Sequence, residues 1–303
     1  MPDRRKLPAI AAAVIGGSFM AMQARANSGL GQEIGSGIFA ALVSFSVGLI
    51  IIGVFTLVVK KNRTALSQTI NKLSTGDIPW FFILAGSIGG FFVIMQGVVA
   101  GIVGIALFSI GVVAGSAIAA LVLDGYGLFG LTRRAIGLKR IAGILVALTG
   151  LMIASDLGSH VPSPLIALPF LAGIGIGFQQ AMNGKFGKLA ESPAVPTLFN
   201  FLAGTAFIAI ALLVIEGFQF PTSWPANPLF YLGGVLGVIY IFMQVLILPR
   251  IGALSMGISM LVGQLTGSVL LDVFLPIAPH PVTISTLLGI ALTMLGAALV
   301  AKR

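Results

Sequence analysis

The sequence predicts an all-α integral membrane protein: ten transmembrane helices arranged as two inverted five-helix repeats. Three observations carry that prediction. Of 303 residues, 57% are hydrophobic and only 8% charged, and mean hydropathy is +1.10. Ordinary soluble domains carry about a quarter charged residues, so a soluble domain is excluded. The apolar residues gather in stretches near the ~20-residue length that spans a bilayer as a helix. The chain also repeats itself. Gln23 and Asn27 recur 156 positions later as Gln179 and Asn183, and Phe45 and Gly48 recur as Phe201 and Gly204. At a shift of 148, Gln96, Gly104, Gly115 and Asp124 meet Gln244, Gly252, Gly263 and Asp272. At a shift of 146, Gly143 and Gly150 meet Gly289 and Gly296. Five spans per repeat is an odd number, so the second repeat enters from the face where the first one left. The expected units are residues 1–158 and 159–303. Inverted repeats of this kind mark secondary transporters.

In the first half the expected spans are 7–26, 36–59, 79–100, 102–123 and 141–157. The start imitates a secretory signal, with Arg4, Arg5 and Lys6 before an apolar run and Ala24-Arg25-Ala26 as a cleavage-like site. The repeat argues against cleavage, because Gln23 and Asn27 have partners deep in the chain. Trp80 reads as an interfacial anchor. Spans three and four run together through Gly97, Gly101 and Gly104, so the turn between them is inferred from the repeat.

In the second half the spans are 164–184, 195–216, 229–248, 251–272 and 285–301. Pro169 falls inside the sixth span, where it removes a backbone hydrogen bond and is a point of expected kinking. Pro193 and Pro196 stand at the entrance of the seventh, a position proline tolerates. Gly86/Gly90, Gly97/Gly101, Gly111/Gly115, Gly173/Gly177, Gly233/Gly237 and Gly263/Gly267 are each four apart on one helix face. In lipid, close helix contact needs such small residues.

Orientation follows from charge. Sixteen of the 17 Lys and Arg residues fall at the N-terminus, at the C-terminus or in the connections after even-numbered spans; Arg25 alone lies on the other side. Cytoplasmic loops are enriched in cations, so both termini are expected in the cytoplasm. This placement also accounts for the net charge of +9 without nucleic acid.

Polar residues inside spans are the site candidates, because each is costly in hydrocarbon without a partner. At about 1.5 Å per residue, Gln23 lies in the outer third of the first span and Gln179 in the inner third of the sixth. Gln and Asn share one helix face in each motif, as two gates related by pseudo-symmetry would. Interhelical amide bonding is the plainer alternative. Ser44 and Asn200 are repeat partners, as are Ser116 and Gln264. Asn200 and Gln264 are the leading substrate contacts, followed by Gln96 and Gln244, with Tyr240 one turn before Gln244. Asp124 and Asp272 are read as gating or proton-binding carboxylates, or as solvated helix ends. Arg25 attracts an anion from outside, or pairs with Glu33. His160 and His280 fall in outer connections. No cysteine, zinc spacing, Walker loop or nucleophile–base pair is visible, so neither catalysis nor a cofactor or metal is expected. The expected partners are the bilayer, a small-molecule substrate and, as an open option, a second copy in a homodimer; nucleic acid is not among them.

The layout resembles the drug/metabolite transporter (DMT, EamA-like) superfamily, and more closely its bacterial YdcZ-like inner-membrane family in a fused, two-unit form. The residues that carry the likeness run from Gly17 through Gln23 and Asn27 to Phe45 and Gly48, with Gly173, Gln179, Asn183, Phe201 and Gly204 opposite them. Pro249-Arg250-Ile251-Gly252-Ala253, Gly263-Gln264 and Asp272 complete it. The first half departs at Ser44 (against Asn200), Ser116 (against Gln264) and Gly101 (against Pro249). The resemblance implies an exporter of small molecules in the inner membrane. The first-helix Glu of the small multidrug members is absent here, so their proton-coupled cation antiport is not carried over. The expected activity is alternating-access transport of a small polar or amphiphilic metabolite. The rival reading is a membrane scaffold whose polar residues only hold helices together.

Overall fold

The computed structural model describes residues 7–133, 135–155, 163–217, 219–276 and 282–301. Within these, the side chains at 163–164, 244–246, 248–250, 252–255 and 301 are not described. The expectations placed on Arg4, Arg5, Lys6, Arg134, His160, His280, Lys302 and Arg303, on the side chain of Gln244 and on most of the 249–253 stretch therefore lie outside the described residues.

Among the described residues every regular element is helical. In chain order they are α1 (Leu7–Ile34), α2 (Gly37–Val58), α3 (Lys60–Ser74), α4 (Ala85–Val98), α5 (Ala100–Val103), α6 (Ile105–Tyr126), α7 (Leu138–Ala154), α8 (Ser163–Ala190), α9 (Ala194–Glu216), α10 (Gly233–Phe274) and α11 (Ile284–Ala301). Seven stretches are long and apolar enough to cross a membrane: α1, α2, Trp80–Val103, α6, Leu165–Ala190, α9 and Met256–Phe274. Gly233–Met243 and Ile284–Val300 are shorter apolar helices.

Three elements differ from expectation. First, α1 continues to Ile34, well past residue 26, and stops only where Gly35 takes φ +74. Second, the connection after α2 folds into α3. Lys60, Lys61, Arg63 and Lys72 keep this helix out of hydrocarbon, while Asn62, Ala65 and Thr69 form its buried stripe. Third, α10 is assigned as one helix through the place where a turn between two spans is expected.

The contacts of α10 show that its direction nevertheless reverses. Gly233 abuts Asn27 and Gly237 abuts Gln23, so this end runs antiparallel to α1. Gly263 abuts the Val14 carbonyl, and Arg25 Nε donates to the Leu275 carbonyl at 3.0 Å, so the other end runs parallel to α1. A Cβ on Gly16 would lie 3.5 Å from the methyl carbons of both Met243 and Met260. A straight helix would hold those two residues about 25 Å apart. The chain therefore folds back between Met243 and Met260.

α8 stands to α4 and α6 as α1 stands to the two arms of α10. Gly89 abuts Gln179, and the Phe82 and Phe186 rings stack at 5.9 Å, so α4 is antiparallel to α8. Gly111 abuts Pro169 and Gly177 abuts Ala119, so α6 is parallel to it. The reversal between α4 and α6 is made at Gly104, whose φ of +88 is open to glycine at little cost. α2 and α9 pack on each other antiparallel, from Ser36–Glu216 through Phe45–Phe201 to Gly53–Leu198. α7 and α11 do the same through Gly143–Gly296 and Gly150–Gly289.

These contacts are reciprocal. Gly17 meets the Met260 carbonyl, and its sequence counterpart Gly173 meets the carbonyl of Val112, the counterpart of Met260. Gly263 meets Val14, and Gly115 meets Phe170. Gly48 meets Phe201, and Gly204 meets Phe45. At Gly17 and Gly263 any Cβ would collide with opposing backbone. Each half thus lends its first helix to the other half, through small-residue faces of the kind lipid-embedded helices need.

Candidate functional site

A cavity of about 60 Å³ lies where these exchanged helices meet. One buried water needs about 10–15 Å³ on this measure, so the space suits a solute with the bulk of roughly four to six waters. Its walls come in counterparts: Gln23 with Gln179, Phe45 with Phe201, Gly89 with Gly237, Phe92 with Tyr240. Three further polar lining residues, Gln180, Asn183 and Asn200, belong to the second half alone.

Those second-half amides form a chain with a fixed sense. Asn200 Nδ2 donates to the Pro196 carbonyl at 2.9 Å, and a carbonyl can only accept. Asn200 Oδ1 must then accept, and it does so from Gln179 Nε2 at 2.9 Å. Asn200 Nδ2 also donates to Asn183 Oδ1 at 2.6 Å. The Gln179 Oε1 acceptor and the Asn183 Nδ2 donor are left for other partners. Gln180 Nε2 donates to the Tyr240 hydroxyl at 3.3 Å.

In the first half the arrangement differs. Asn27 Nδ2 donates to Gln96 Oε1 at 2.8 Å, and this pair is buried away from the cavity. Asn27 Oδ1, Gln96 Nε2 and Ser44 Oγ are buried without a hydrogen-bond partner among the described residues. Ser116 bonds within its own helix, to the Val113 carbonyl, and Gln264 is buried in α10; neither lines the cavity. Of the two leading sequence candidates, the structure brings Asn200 to the cavity and leaves Gln264 outside it.

The charged candidates lie at opposite ends. Asp272 accepts from the backbone N–H of Ile105 and Ala106, at 3.0 and 2.6 Å, capping the start of α6. Arg25 is its electrostatic neighbour and lies 5.9 Å from the Phe230 ring. Asp124 pairs with Arg140 at 2.9 Å, and Arg140 also donates to the Val300 carbonyl. Neither carboxylate is a plain solvated helix end, and Arg25 turns to Leu275 and Asp272 instead of forming the expected pair with Glu33. Arg140 is 7% exposed. Sequence reasoning counted it as a loop cation and missed its role as the Asp124 partner. It also missed Gln180 and the aromatic walls Phe45, Phe92 and Phe201. The 148-residue shift that pairs Phe92 with Tyr240 was the signal available for the walls.

The two ends of the cavity also differ in packing. Ala24, Asn27, Ser28 and Gly31 on α1 are all buried. Gly31 and Gly37 press on the Gly97 backbone, and Gln32 Nε2 donates to the Gly101 carbonyl at 3.0 Å. Their counterparts on α8 are open: Gln180 and Gly184 are exposed, and Asn183 and Gly187 are half-buried.

Many buried helices around a small, amide-lined cavity between two half-molecules define a polytopic membrane protein with a solute-sized internal site. A family model described as "Putative inner membrane exporter, YdcZ" matches twice, over residues 8–153 and 164–299. The chain belongs to this DMT family of multi-pass inner-membrane proteins, and it carries two copies of the unit. A solved crystal structure, titled only as that of a protein, is similar at TM-score 0.55 and 17% identity, over 97% of this chain and 95% of its own. That likeness concerns the fold. No curated protein matches the chain.

Proposed function

We propose that the protein is a secondary carrier that exports a small polar or amphiphilic solute by alternating access through this cavity. In this reading ten spans form two five-helix units inverted about an axis in the membrane plane. The reciprocal contacts support it. α2 and α9 are sequence counterparts, as are α7 and α11, and each pair packs antiparallel. Counterpart helices that run antiparallel are what a two-fold axis across the helices produces. The ten spans are the seven long apolar stretches, α7, Gly233–Met243 and α11.

The observation that carries the transport reading is the contrast between the sealed α1 end and the open α8 end. Lys72, on the basic helix α3, donates to the Leu189 carbonyl near the end of α8. By the distribution of cations the open end faces the cytoplasm, which makes this an inward-facing state. Inverted units can exchange such roles, because each gate is the counterpart of the other.

The chain has no cysteine, so single thiols report cleanly. In intact cells, a membrane-impermeant maleimide is expected to leave Gly184→Cys unlabelled from outside and to label Ser28→Cys slowly, as the outward state is visited. In inside-out vesicles Gly184→Cys is expected to label fast. Ser28→Cys that never labels from outside, under any condition in which solute moves, would sink alternating access.

A further inference from the structure

The carrier reading leaves open what orients the solute, and the answer proposed here rests on that reading. We propose that Gln23 is the substrate-orienting group, and that the substrate is a neutral solute with an amide-like edge, an adjacent donor and acceptor, on an apolar body.

Gln23 is 5% exposed and lines the cavity. Its counterpart Gln179 has its Nε2 committed to Asn200, whose orientation is locked by the Pro196 carbonyl. The first half has Ser44 in place of Asn200. A serine side chain carries no amide to reach across, and Ser44 Oγ itself has no partner among the described residues. Gln23 therefore makes no hydrogen bond among the described residues, although its amide offers two donors and an acceptor. An amide that lines a cavity with no protein partner of its own matches a ligand that satisfies both its ends. A carboxamide or lactam does so by pairing head to tail, N–H to carbonyl in both directions.

The remaining walls define the rest of the solute. The Phe45 and Phe201 rings are 5.0 Å apart, and both line the cavity beside Phe92. They suit a flat apolar body. The described lining contains no Lys, Arg, Asp, Glu or His. A charged solute would lose its hydration there with no counter-charge, so the acid or amine analogue of a bound amide is rejected.

The test uses the full chain in lipid nanodiscs, with benzamide as the probe, benzoate as a charged control of the same shape and toluene as a control that lacks the amide. Equilibrium dialysis is expected to show benzamide bound at least tenfold more tightly than either control. Gln23→Leu is expected to weaken benzamide at least tenfold. Ser44→Asn leaves Gln23 in place but supplies the partner that Gln179 has, and is expected to weaken benzamide severalfold. The assignment is overturned by benzamide that does not bind, by benzoate that binds as well, or by Gln23→Leu that binds like the parent. Benzamide counterflow in proteoliposomes separates this from the carrier reading. Gln23-dependent binding without counterflow would sink transport alone, whereas counterflow undiminished in Gln23→Leu would sink the assignment of Gln23 alone.

Discussion

The tail of α1 and the tail of α8 descend from the same motif, yet one is sealed and the other open. Ser28 is fully buried, and its counterpart Gly184 is exposed. At the α1 end the backbones of Gly31, Gly37 and Gly97 close on one another, and the Asn27–Gln96 amide pair is buried beneath them. At the α8 end Asn183 instead turns to Asn200 and the cavity wall. From Gln23 and Gln179 onward the two tails keep only a Gln, an Asn and a Gly in common: Gln23 with Gln179, Asn27 with Asn183, Gly31 with Gly187. Substitutions placed at counterpart positions read out the difference between the ends directly.

The largest expected effect is at the carboxylates, one per end. Asp124→Ala leaves the Arg140 guanidinium buried without its counter-charge. Breaking such a pair costs about 3–5 kcal/mol, so thermal unfolding in detergent should show a strong loss of stability. Asp272→Ala removes a cap from two backbone N–H groups and is expected to cost about 1–2 kcal/mol in the same assay. Equal effects would mean that the two ends do not hold their charges differently.

Next in size is a wedge at the glycine contact. Gly97→Leu forces a side chain into the Gly37 backbone, an overpacking expected to cost about 1–3 kcal/mol. A Cβ at Gly184 meets nothing within 4 Å among the described residues, so Gly184→Leu should stay within about 0.5 kcal/mol. The comparison sharpens if Gly184→Leu instead blocks solute flux without changing stability, since in the proposed cycle that end closes.

The smallest effect is at the buried amide pair. Asn27→Leu leaves Gln96 with no partner among the described side chains, at a cost of about 1–3 kcal/mol partly relieved by the added apolar contact. Its distinguishing readout is faster maleimide labelling of Ser28→Cys from outside, as the sealed end loosens. Unchanged labelling would mean that the glycines alone hold it.

Much of the fold was legible in the sequence. Hydropathy exposed the spans, and the Gln–Asn repeat with its shifted glycines exposed two copies of one unit, which the twofold family match bears out. The amphipathic helix α3 was missed because its charges read as a loop, and a stripe of only Asn62, Ala65 and Thr69 is a weak signal. The site was less legible. Asn200 and Gln264 are both amides near mid-span, and periodicity gives depth along a helix, not the neighbour each side chain meets.

Composition and repetition by themselves determined that this chain lives in a bilayer as two related bundles, because burial in hydrocarbon constrains every span locally. Only the tertiary structure decided that Gln179 is tied to Asn200 while Gln23 has no hydrogen-bond partner among the described residues, that Arg140 answers Asp124, and that the tail of α1 is buried where that of α8 is exposed. These depend on contacts between helices far apart in the chain, and single substitutions such as Ser44 against Asn200 redirect them without altering any helix's own pattern.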